Sequence, residues 1–101
     1  MSVNNISFST AAGTISFSVS TPPVTVAFTG LAGVETVGID FDIDGSYEAV
    51  TDESGDDVTI TASVTSRTID SPGKFRITKP TSAGAVKAQV AGNISEFEYS
   101  A

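Results

Sequence analysis

The run Asp40-Phe41-Asp42-Ile43-Asp44-Gly45 sets three carboxylates at alternate positions and follows them with glycine. Oxygen ligands at this spacing open the calcium loop of an EF-hand, so a hard-cation site is the first chemistry to weigh. The match ends early. Position twelve of such a loop needs a bidentate Glu and here is Thr51, while Phe41 and Ile43 between the acids are large core-type residues. Asp40, Asp42 and Asp44 therefore read first as the wet face of an amphipathic strand ending in a hairpin turn, and second as candidate cation ligands. Eight of the twelve acids fall between residues 40 and 57. Water, a cation or a basic partner must relieve the repulsion among them.

Catalytic chemistry is poorly served elsewhere. The chain has no His and no Cys, which removes the usual general base near neutral pH, the thiolate nucleophile and every Cys-based metal site. A paired-carboxylate hydrolase drawn from Asp40, Asp42 and Glu48 would need a substrate cleft that a domain this small has little depth to provide. The expectation is a protein without catalysis and without a cofactor.

Charge narrows the partners. The net charge is -7, with nine acids and no base in residues 1–66 and five bases against three acids in residues 67–101. That balance disfavours nucleic acid and anionic membranes, whose recognition needs an excess of Lys and Arg. One basic segment, Lys74, Arg76 and Lys79, stands against the acidic one. Lys74 and Arg76 are candidate partner contacts, either within the domain or against the acidic strand of a second copy. No run approaches the roughly 20 apolar residues of a membrane-spanning helix, and the N-terminus lacks the charged start and apolar stretch of a signal peptide. The expected setting is the cytoplasm, or a particle assembled there.

What must position these residues is a sheet. Apolar residues recur at every second position, and nowhere at helical spacing over ten residues. Ile6 and Phe8 begin the series; Ile15, Phe17 and Val19 continue it after the turn Thr10–Gly13, which predicts a first hairpin. Thr21-Pro22-Pro23 is expected to stop the second strand, because proline has no amide hydrogen for a ladder. Val24–Phe28, Val37–Ile43, Tyr47–Val50, Val58–Val64, Phe75–Ile77 and Val86–Val90 follow as strands, with Ile94, Phe97 and Tyr99 in a last short strand or ordered tail. Asp44-Gly45 is a strong hairpin signal. With 101 residues there is room for one core, so the chain is expected to be a single all-β domain, an antiparallel β-sandwich of Ig-like or jelly-roll-like architecture with about eight short strands.

The stretch Val24–Val37, the Asp44-Gly45 hairpin, Ser71-Pro-Gly-Lys-Phe-Arg-Ile-Thr-Lys-Pro80 and Ala83-Gly-Ala-Val86 together resemble the small β-rich virion proteins of tailed bacteriophages. The texture is most similar to head decoration, or cement, proteins: short Ser/Thr/Val strands, Gly-rich turns, no Cys and no His. The resemblance implies a structural protein of the virion that binds the major capsid protein or other virion proteins in multiple copies or as a homo-oligomer. It also implies extended docking arms at residues 1–9 and 92–101, which makes Ile6, Phe8, Phe97 and Tyr99 candidate partner contacts by strand addition. The alternative reading is a tail- or fibre-associated or carbohydrate-binding module. The absence of Trp and the wide separation of Tyr47 and Tyr99 lean away from sugar binding.

Overall fold

A computed structural model describes residues 2–100. Eight antiparallel strands form among them, and no helix: β1 (Ser2–Phe8), β2 (Gly13–Thr29), β3 (Val37–Ile43), β4 (Ser46–Ala49), β5 (Thr59–Ile60), β6 (Ser66–Ile69), β7 (Gly73–Lys79) and β8 (Val86–Ser100). Hydrogen bonds join them into one sheet in the order β1-β8-β2-β7-β3-β4, with β5 added to β3 and β6 to β2. The result is an all-β, sandwich-like fold.

Two long strands turn that single sheet into two layers. The first half of β2 pairs β7 on one side and the second half of β8 on the other, whereas its second half pairs β6 and the first half of β8. The β2/β8 ribbon thus runs through both layers. Its register slips between Thr21 and Thr25, where Pro22 and Pro23 cannot donate to the ladder. Inward-facing positions change parity across the slip, from Ile15, Phe17 and Val19 to Val24, Val26 and Phe28. A second slip, at Glu96 with φ 53°, re-aims the end of β8 so that Phe97 packs on the core.

The layers close on each other through aromatic rings. Phe8 on β1 lies 5.1 Å, edge to face, from Tyr99 at the far end of β8, and 5.9 Å from Phe28. Phe17 and Phe75 stack at 6.4 Å on neighbouring strands of the opposite layer. Ile15, Phe17, Val24, Val26, Val37, Ile60, Ile77, Val86 and Val90 are fully buried, which marks one continuous core.

Several expectations change. β1 and β2 do not form a hairpin, because β1 pairs β8 over seven consecutive residues, Ser2↔Gly92 to Phe8↔Val86. The two prolines interrupt pairing without ending β2. Residues 58–64 yield only the two-residue β5, since Thr61 closes a turn onto Val64 through backbone and hydroxyl; the next strand, β6, begins at Ser66. Both segments read as arms are in the sheet where the structure describes them: residues 2–8 as β1, and residues 93–100 paired to β2.

The ribbon's turn depends on Gly92. Its φ is 147°, and a Cβ there would stand 2.7 Å from Val24 Cγ2 and 3.0 Å from the Pro23 carbonyl oxygen. Strain and overpacking each cost about 1–3 kcal/mol. Gly92→Ala is expected to lower unfolding free energy by at least about 2 kcal/mol, read as a drop in urea midpoint at unchanged m-value.

Candidate functional site

Alternation along β3 turns Asp40 outward, and the β3/β7 register sets it directly opposite Arg76. The guanidinium Nη2 donates to Asp40 Oδ2 at 3.1 Å, and Tyr47, brought alongside by the β3–β4 hairpin, covers the guanidinium at 4.4 Å from its ring centroid. Arg76 Nε is buried with no hydrogen-bond partner. The three groups lie together on the outer face of one layer, an ion pair with an aromatic ring over its cation. With side chains 39% and 20% exposed, the ion pair belongs to the partly wet class worth up to about 1 kcal/mol.

The neighbouring carboxylates are employed elsewhere. Asp42 Oδ1 accepts a hydrogen bond from the Gly45 amide at 2.8 Å and so caps the hairpin, in which Asp44 and Gly45 take the positive φ values of 51° and 86° that this tight turn requires. In the following loop Asp52 Oδ1 accepts from the amides of Ser54 and Asp56. Among the described residues no three acids are grouped to hold a metal ion. The candidate ligands Asp40, Asp42 and Asp44 are thus separated into an ion pair, a turn cap and a turn residue.

Of the candidate partner contacts, Ile6 and Phe8 are in the core, Phe97 is half-buried, and Tyr99 keeps 43% of its surface while its ring edge meets Phe8. Lys74 is exposed, and Arg76 is tied to Asp40. Lys79 corrects the expected basic face, because it is fully buried. Its Nζ donates to the carbonyls of Ala11 at 2.7 Å and Pro80 at 2.8 Å, and it lies 5.8 Å from the Phe8 ring centroid. The clue was its parity: Phe75, Ile77 and Lys79 share the inward face of β7.

Sequence reasoning also passed over Glu35. Its carboxylate bridges two loops, Oε1 accepting from the Ala32 amide at 2.9 Å and Oε2 from the Ala83 amide at 2.7 Å. Those two bonds, and behind them the charge of Lys79, hold its pKa below the ordinary glutamate value. Its position three residues beyond Ala32 hinted at the first bond; the second joins residues 48 apart in the chain.

The opposite layer presents a different surface. Register across β1, β8, β2 and β6 builds three outward rows: Ser7-Lys87-Thr29, Asn5-Gln89-Ala27-Ser66 and Val3-Ala91-Thr25-Thr68. Gln89 Nε2 donates to Asn5 Oδ1 at 3.0 Å, beside a shallow depression of about 460 Å³. No acid occurs in these rows, although the chain carries twelve. No family model, curated protein or solved structure matches this chain. Its own surface chemistry, an acid-bearing layer backed by an acid-free one, is therefore what bears on function.

Two outcomes are expected. Because Asp40 and Asp42 are already engaged, millimolar calcium or magnesium should leave the thermal midpoint unchanged beyond the general effect of ionic strength, checked against sodium chloride at matched ionic strength. For Glu35, whose folded pKa is lowered, the stabilisation is present above its unfolded value, about 4.3, and is lost as pH falls through the folded value. Wild type should exceed Glu35→Gln in denaturation midpoint at pH 7, with the two converging in more acidic solution.

Proposed function

We propose that this chain is a non-catalytic structural protein of a tailed-phage particle, one that decorates the capsid by seating on the major capsid protein and bracing its contacts. The acid-free outer face of the β1-β8-β2-β6 layer, on a chain of net charge -7, is the observation that carries the reading. Desolvating unpaired carboxylates against another protein is costly, and interface centres are depleted of charge. A face of Ser, Thr, Asn, Gln, Ala and Val3 with a single Lys can be covered at little electrostatic cost. The acidic layer is then left outward, toward solvent.

Further support comes from how the charged groups are used. Arg76, Asp40, Asp42, Asp52, Glu35 and Lys79 all make bonds that hold strands, turns or loops in place. Rigid presentation of a face is what a bracing subunit requires. The virion texture of the sequence supplies the choice of partner.

Gold-labelled antibody against the purified chain is expected to mark the heads of particles in the source lysate. Wild-type chain should sediment with heads that lack it, and Thr25→Glu/Gln89→Glu should lose that binding at least tenfold, whereas Lys74→Glu on the opposite layer should retain it. Gold confined to tails, or to no particle, would overturn the reading.

A further inference from the structure

A sheet edge is a row of unpaired amides and carbonyls, and most edges of this fold are guarded. β5 has two residues; β4 and β6 have four each, with Glu48 on one and Arg67 on the other. The free side of the second half of β8 carries Glu96 and Glu98 and is broken by the slip at Glu96. Short length, charge and bulges are the devices by which proteins block edge-to-edge pairing. β1 has none of them. Ser2-Val3-Asn4-Asn5-Ile6-Ser7-Phe8 is seven residues long, uncharged and without proline, and it pairs in unbroken register with β8 alone.

We infer that β1 is the self-association edge of this protein, at which two copies pair their β1 strands antiparallel about a two-fold axis through Asn5. Charge allows a second copy at this edge and disfavours one elsewhere. Two chains of -7 repel through any acidic surface, and the only charged side chain in the rows beside β1 is Lys87, opposite Ser7. Geometry agrees, because the free edge of an antiparallel strand matches its own two-fold image. Centred on Asn5, the pairing overlaps all seven residues. The two Asn5 amides then face each other, and Val3, 54% exposed in the single chain, lies against Ser7 of the second copy. The acid-free faces of the two copies join into one wider face, and the pairing stands whether or not that face seats on a capsid.

One strand pair covers less than the roughly 1,200 Å² of a standard interface, so association is expected at tens to hundreds of micromolar and would be strengthened where copies are held close together. The absence of cysteine makes cross-linking a clean test. Under mild oxidation Asn5→Cys should form a disulfide dimer at least tenfold faster than Val34→Cys, whose site is 97% exposed on a loop. In sedimentation equilibrium the wild type should reach a monomer–dimer balance that Asn5→Lys shifts at least tenfold toward monomer, with circular dichroism confirming that the variant is folded. A wild type that stays monomeric to about 1 mM, above the range argued from interface size, would overturn the inference. Equal cross-linking rates for the two cysteine variants would do the same.

Discussion

Everything else in this fold depends on the β2/β8 ribbon passing from one layer to the other. A flat sheet of this order would expose one apolar face, since the described residues include no helix to cover it. The ribbon lets the sheet cover itself. Pro22 and Pro23 leave the ladder open on β2, Gly92 allows β8 to approach Val24 closely, and the shift of inward parity keeps apolar side chains facing the core on both sides of the turn. Phe8 then meets Tyr99 across the layers, although β1 pairs only residues 86–92, the other half of β8.

Because the layers are halves of one sheet, their outer faces can differ in chemistry while sharing a core. β3, β4 and the end of β8 carry acids, and the Arg76–Asp40 pair with Tyr47 over it fastens the middle of that side. The other layer is left to small polar side chains. Lys79 shows how the core tolerates a charge: two carbonyls and an aromatic face surround the ammonium, so its burial has polar compensation. Glu35 stands nearby and ties the loops that cover this end of the sandwich.

Much of the strand content was readable from alternation, because a half-buried strand writes its two faces into the sequence at period two. Asp44-Gly45 announced its hairpin through the positive φ that it needs. Pairing partners were harder. β1 and β2 are neighbours in sequence with turn residues between them, yet β1 pairs β8, 84 residues away at the Asn5↔Gln89 pair. No local signal carries that preference. It arises because the first half of β2 already has β7 and β8 on its two sides.

Length, composition and the period-two alternation are enough to read a one-core, all-β chain with an acid-rich middle, no His and no Cys, since none of them needs knowledge of what lies opposite. Tertiary structure alone decided what each charged group does. Asp40, Asp42 and Asp44 look equivalent in the sequence, and become an ion-pair member, a turn cap and a left-handed turn residue. Lys79 became a core residue, and the acid-free face emerged only when β1, β8, β2 and β6 were laid side by side. The physical reason is that hydrogen-bond registry between distant strands sets which side chains become neighbours, and alternation along one strand does not encode that registry.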